Sequence, residues 1–226
     1  MTPPRLRVLA ADYDGTLADH GVLEEATAAA LERLRAAGWK LLLVTGRQLD
    51  DLRSVCPRLP LFDGVVAENG ALLHLPASDS IRELAAPLPP TLPAALRRRG
   101  VEPLSVGRVI VATLRPHLAV VRQTLAELGL EMELSLNRDA LMVLPAGVDK
   151  GAGVEKALAA LGLTTGETIG FGDAENDLPL LARCRVAVAV GNALPPVKEA
   201  ANIVTAGAAG AGVREVVARL LAGEML

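Results

Sequence analysis

Five short apolar runs, each without polar alternation, constrain this chain more than any other feature. They are VLAAD (Val8–Asp12), KLLLVT (Lys40–Thr45), GVVA (Gly64–Ala67), TIGFG (Thr168–Gly172) and VAVAV (Val186–Val190). A strand with one wet face alternates apolar and polar residues, whereas a strand covered on both faces does not. Helical stretches separate the runs. Glu24–Ala37 puts Leu31 and Leu34 on one face and is followed by Gly38, a residue suited to a helix C-terminus. Gln48–Val55 makes a short helix that stops before Pro57. From Asp149 onward the alternation resumes. Helices are predicted over Gly153–Leu161, Asn176–Ala182 (with Pro179 in its first turn), Leu194–Ala200 and Gly212–Leu221, with a last short strand at Ile203 and Val204. This order predicts an α/β fold, a Rossmann-like doubly wound parallel sheet. The 51% hydrophobic content is enough for its core and comes from Ala, Leu and Val, since the aromatic residues are only Trp39, Tyr13, Phe62 and Phe171.

The middle of the chain follows another pattern. Leu72–Leu75 and Ile81–Ala85 read as a hairpin, and Pro87, Pro89, Pro90 and Pro93 mark a hinge. Leu92–Arg99 reads as a helix ended by Gly100, Arg108–Leu114 as a strand, and Pro116–Leu128 as a helix with Gly129 beyond its end. Glu131–Leu136 and Ala140–Leu144 flank Asn137-Arg138-Asp139, a good hairpin turn. The expected organisation is a core built from residues 1–85 and 147–226, with a small α+β cap domain, residues 86–146, inserted between.

Charge and composition narrow the partners. A net charge of −3 and a pI near 5.7 argue against a polyanion-coating protein, and the shortage of rings argues against stacking nucleic-acid bases. No run approaches the roughly 20 apolar residues of a membrane span, and Met1–Arg7 lacks the apolar centre of a signal peptide. Cys56 and Cys184 show no metal or disulfide spacing. A cytoplasmic protein, monomer or homodimer, without nucleic-acid or membrane partners is expected.

Three loops at strand ends carry reactive or phosphate-suited residues. Ligands of open parallel sheets bind at these carboxyl ends. In Asp12-Tyr13-Asp14-Gly15-Thr16, one carboxylate can attack an electrophile while the other trades protons; by itself the segment reads equally as a strand ending in an Asp-Gly turn. Thr45-Gly46-Arg47 offers a hydroxyl, a glycine amide and a helix N-terminus to an anion, or simply starts a capped helix. In Gly172-Asp173-Ala174-Glu175-Asn176-Asp177, crowded acids suit Mg²⁺, or an acidic helix start favoured by the dipole. Lys150, alone, reads as a solvated surface charge.

Taken together, DYDGTL (Asp12–Leu17), VTGR (Val44–Arg47), DKG (Asp149–Gly151) and GDAENDLPLL (Gly172–Leu181) resemble the four motifs of the haloacid dehalogenase superfamily, in the same order and at the same kind of strand end. Only 27 residues lie between Leu17 and Thr45, but 104 lie between Thr45 and Lys150, so a cap falls between the second and third motifs. Glu68-Asn69-Gly70-Ala71 resembles the ENGA segment of the Cof-type (IIB) branch, and the short cap is similar to those of archaeal-type phosphoglycolate phosphatases and sucrose-phosphate phosphatases.

The resemblance implies a Mg²⁺-dependent phosphomonoester hydrolase acting on a small phosphorylated metabolite. It makes Asp12 the nucleophile and Asp14 the acid and base. Asp12, the Asp14 carbonyl and Asp173 would bind the metal, with Asp177 binding it directly or through water. Thr45, Gly46 and Lys150 would hold the phosphoryl group, and Asn176 would orient Lys150 or the phosphate. Arg47 and Arg138 are candidates for substrate specificity. A phosphomutase is the alternative, and a silent phospho-ligand sensor a further one. No ring in the cap can stack on a flat cofactor, which favours sugar or carboxylate phosphates. Arg97, Arg98 and Arg99 read as surface, His20, His74 and His117 as structural or exposed, and Met132 and Met142 as filling the cap core.

Overall fold

The computed structural model describes residues 6–224, so Met1–Arg5 of the leader expectation lies outside the described residues. The chain begins β1 (Val8–Asp12), α1 (Glu25–Ala36), β2 (Lys40–Val44), α2 (Leu49–Val55), β3 (Gly64–Ala67), then a hairpin of β4 (Leu72–Leu75) and β5 (Ser80–Glu83). The middle segment contains α3 (Thr91–Arg98), β6 (Ser105–Val106), β7 (Val111–Leu114), α4 (Leu118–Leu128), β8 (Met132–Asn137) and β9 (Ala140–Pro145). The return segment contains α5 (Lys150–Ala160), β10 (Thr168–Gly172), α6 (Leu178–Arg183), β11 (Val186–Ala189), α7 (Pro195–Ala200), β12 (Ile203–Val204) and α8 (Ala209–Leu221).

The first and last segments share one eight-stranded sheet, ordered β12-β11-β10-β1-β2-β3-β4-β5. It is parallel from β12 to β3 and turns antiparallel at β4 and β5. Both faces are covered, which explains the unbroken apolar runs. Leu9, Ala11, Leu41 and Leu43 pack on one side with Leu31 and Leu34 of α1 and Val213 and Val216 of α8. Val8, Ala10, Leu42 and Val44 pack on the other with Val154 and Leu158 of α5 and Leu180 of α6. Each buried Leu or Val stabilises the sheet by about 1.5–3 kcal/mol.

The middle segment makes its own antiparallel sheet, ordered β6-β7-β9-β8. One face, Val111, Leu141 and Val143, packs on Leu92 and Leu96 of α3 and Val121 and Leu125 of α4. The opposite face, with Met142 and Leu144, packs on Ala71 and Val148 of the large-sheet segments. Met142 therefore does not fill the interior of the small unit. Alternation along β9 turns it toward the core.

Of the element boundaries that differ from expectation, two have a plain physical reason. The strand expected from Arg108 begins at Val111, because the amides of Arg108, Val109 and Ile110 bond a side chain of the core instead of a neighbouring strand. The helix expected from Gly153 begins at Lys150, because the Asp149 carboxylate caps it by accepting from the Ala152 amide at 2.7 Å. No helix among the described residues is long and apolar enough to cross a membrane.

Candidate active site

Strand β1 lies between β2 and β10, so the loops leaving these three strands meet at one edge of the sheet. Asp12 ends β1 and is almost wholly buried. The chain then turns sharply. Gly15 has φ +81°, and a Cβ there would stand 2.6 Å from the Asp173 carboxylate, so only glycine fits both the backbone and the space. Tyr13 anchors the turn from below, its hydroxyl donating to the Gly21 carbonyl at 3.0 Å.

Lys150 has no exposed surface, and α5 carries it under the site from its first turn. Its Nζ donates to Asp12 Oδ1 at 2.5 Å and to Asp177 Oδ1 at 2.6 Å. The other Asp177 oxygen accepts the amides of Asp173 and Ala174 at 2.9 and 3.0 Å. Asp173 accepts from Thr16 Oγ1 at 3.2 Å and pairs with the Arg138 guanidinium. Carboxylate oxygens of Asp12, Asp173 and Asp177 all lie within 4.8 Å of one another.

Such crowding has electrostatic consequences. Burial, then the Asp177 carboxylate, pushes the Asp12 carboxyl well up, against the opposing pull of Lys150. Burial also raises Asp173, with Arg138 pulling the other way. Burial alone would push Lys150 down, but Asp12 and Asp177 together push it up, so the ammonium stays charged. Three buried carboxylates facing two cationic side chains form an oxygen donor set that suits a hard divalent cation.

The phosphate-suited loop sits alongside. Thr45 is buried, and its Oγ1 accepts the Arg47 amide at 3.1 Å. A Cβ on Gly46 would lie 3.3 Å from the Met142 sulfur and 3.7 Å from Asn176 Nδ2, so the small sheet and the acidic loop both lie close against this glycine. Asn176 is buried, donates through Nδ2 to Asn69 Oδ1 at 3.0 Å, and has an Oδ1 without a partner among the described residues. A buried amide oxygen left unpaired is costly unless something binds there.

Arg47 and Asp14 occupy the margin. Both Asp14 oxygens accept from Arg47, at 2.7 and 2.8 Å, while Nη1 of Arg47 reaches Asp51 at 2.7 Å. The Arg47 guanidinium is thus committed within the core. Arg138 does leave the small sheet for the site: it sits at the β8–β9 tip with φ +52°, and its amide also donates to Glu175 Oε2 at 3.2 Å. Sequence reasoning missed the contribution of Glu68 and Asn69. Their motif was visible, but their partners lie 40 or more residues away and include backbone amides, which carry no residue-type signal.

The comparisons with known proteins fit this geometry. The family profile of haloacid dehalogenase-like hydrolases matches residues 9–87 and 115–217. The chain is 31% identical over 224 residues, 96% of this chain and 99% of its relative, to a phosphoglycolate phosphatase of Methanothermobacter thermautotrophicus. Its fold is similar to that of a haloacid dehalogenase-like hydrolase from Bacteroides thetaiotaomicron, with TM-score 0.81, 22% identity, and 96% and 100% of the two chains covered. It is also similar to a HAD subclass IIB sugar phosphatase, with TM-score 0.75, 20% identity, and 95% and 98% covered. With four motif loops meeting at one sheet edge and a family match across most of its length, the chain belongs to the haloacid dehalogenase-like hydrolases and is a phosphatase of that family.

Proposed function

We propose that the protein hydrolyses a small anionic phosphomonoester, of the phosphoglycolate kind, with Mg²⁺ and through an aspartyl-phosphate. The observation that carries this reading is the buried Lys150 ammonium bridging Asp12 and Asp177 beside Asp173. Lys150 occupies Asp12 Oδ1, so Oδ2 is the oxygen assigned to attack phosphorus. As the Asp12–phosphorus bond forms, the bond to the leaving oxygen breaks, and Asp14 gives that oxygen a proton. Asp14 then takes a proton from water, which attacks the same phosphorus and frees Asp12 and inorganic phosphate.

Arg47 donates to both Asp14 oxygens, a pair that holds Asp14 as the carboxylate, the form that accepts the proton from water. To protonate the leaving oxygen Asp14 must leave this pair, so Arg47 acts by positioning Asp14. Thr45, the Gly46 amide and Lys150 would hold the phosphoryl group; Asn176 bonds Asn69 and not Lys150, so its free Oδ1 would accept from a phosphate hydroxyl. Asp12, the Asp14 carbonyl, Asp173 and, directly or through water, Asp177 would hold Mg²⁺, which when bound supplies charge neutralisation at the phosphoryl oxygens. Residues 86–146 would act as the cap, and Arg138, which pairs with Asp173 here, is the cap cation that would meet an anionic group of the substrate once Asp173 binds the metal instead. The two cysteines are free thiols, which fits a reducing cytoplasm.

Asp12→Asn tests the chemistry. With Mg²⁺ and either phosphoglycolate or p-nitrophenyl phosphate, turnover should fall at least about a thousandfold, as losing a nucleophile does elsewhere. Activity that survives the change removes Asp12 as nucleophile. A wild type inert on a panel of small phosphomonoesters removes the substrate reading.

A further inference from the structure

The Glu68-Asn69-Gly70 turn has no place in the chemistry above, yet the groups of the proposed site converge on it. It follows β3 with three successive positive φ values, +50°, +55° and +105°, two of them on residues other than glycine. Side chains rarely adopt this backbone, and it persists only where its surroundings hold it. The holding contacts run in two directions.

Through its backbone the turn grips the core loops. The Glu68 amide donates to the Arg47 carbonyl and the Asn69 amide to the Thr45 carbonyl, both at 2.9 Å, so the turn is tied to the phosphate-suited loop. Gly70 lies against the start of α5, where a Cβ would come 2.0 Å from the Asp149 carbonyl oxygen, one residue before Lys150. Asn69 Oδ1 accepts from Asn176.

Through its side chains the same turn grips the cap. Glu68 is buried, and its carboxylate accepts three consecutive cap amides, those of Arg108, Val109 and Ile110, at 2.9, 2.8 and 3.1 Å. Charge-assisted bonds of this kind are stronger than neutral ones. Asn69 Nδ2 donates to Ser135 Oγ of β8 at 3.3 Å, and in the ladder Ser135 stands opposite Met142, the residue pressing on Gly46.

We infer that Glu68 and Asn69 are positioning residues that seat the cap on the core: Glu68 is the fixed anchor at the 107–110 loop, and Asn69 is the latch to β8. The seat sets where Arg138 and Met142 come down over the phosphoryl site, and its effect on turnover rests on the phosphatase reading. The anchor itself does not, so the two can fail separately.

Glu68→Gln is the sharpest test. Glutamine keeps the shape but turns one end into a donor facing amide donors, so at least one of the contacts must break. In hydrogen exchange, the amides of Arg108, Val109 and Ile110 should lose protection while those of β1–β3 keep theirs. Mg²⁺ affinity should stay within about twofold. The preference for phosphoglycolate over p-nitrophenyl phosphate, as a ratio of kcat/KM values, should fall about tenfold, whereas a merely destabilised protein would lose both activities together. Gly107→Ala repeats the test from the cap side, because its Cβ would stand 2.6 Å from the Glu68 carboxylate. Protection unchanged at 108–110 in both variants overturns the anchor. Protection lost with selectivity unchanged overturns the positioning role.

Discussion

Replacing Lys150 by methionine isolates the electrostatic design of the site. The stem is retained and the ammonium removed, leaving Asp12 and Asp177 buried without the cation that bonds both at 2.5 and 2.6 Å. Removing one partner of a buried ion pair costs about 3–5 kcal/mol. For a chain of this length each kcal/mol moves Tm by about 2–4 °C, so a fall of about 6–20 °C is expected without metal at pH 8. The deficit has a definite pH sign. The folded Asp12 carboxyl already lies well above its ordinary value through burial and the Asp177 charge, and loss of Lys150 raises it further. The folded variant therefore binds a proton that the unfolded chain, with a carboxyl near pH 3.9, has released. Stability of the variant relative to wild type should rise as pH falls from 8 to 5. Mg²⁺ should also narrow the gap by supplying positive charge at the same oxygens. Guanidinium unfolding followed by circular dichroism, with EDTA or Mg²⁺ across that pH range, measures all three effects. A deficit under about 1 kcal/mol at pH 8, or one that does not change with pH, would refute the reasoning.

Two further outcomes follow from the same structure. In the wild type, Mg²⁺ at a hundred times its dissociation constant should stabilise the fold by about 2.7 kcal/mol; a thermal scan with and without EDTA reads this, and coincident curves would remove the cation from the Asp12–Asp173–Asp177 cluster. His74 is buried on β4, and desolvation holds its imidazole below the ordinary value while Nδ1 lies 3.3 Å from the Ser80 carbonyl. A depressed folded value means that its contribution is present above about pH 6.5 and is lost as pH falls through the folded value. His74→Gln should therefore show a shallower loss of Tm between pH 7 and 5 than wild type, and parallel curves would count against it.

The parallel sheet was legible because burial on both faces writes itself into a run such as Leu41–Val44, where every position is buried and apolar. Legibility of the acidic loop has a different source: Asp173, Asn176 and Asp177 sit within five residues, so local spacing alone brings them to one strand end. Pairs between side chains far apart in sequence were not legible in this way. Arg138 meets Asp173 across 35 residues and Arg47 meets Asp14 across 33, and an arginine's place at a hairpin tip or a helix start does not name its partner. Strand β9 shows the limit most clearly. Its four central residues, Leu141 to Leu144, are all buried, so apolarity cannot say which face meets the helices and which meets the core. That choice depends on register. Met142 pairs with Ala112 and Ser135 and stands over Gly46, while the Glu68 carboxylate bonds the neighbouring 107–110 loop. The face that the small sheet turns to the large one is therefore written in the register of its strands and in one buried carboxylate, both invisible to residue-by-residue hydropathy.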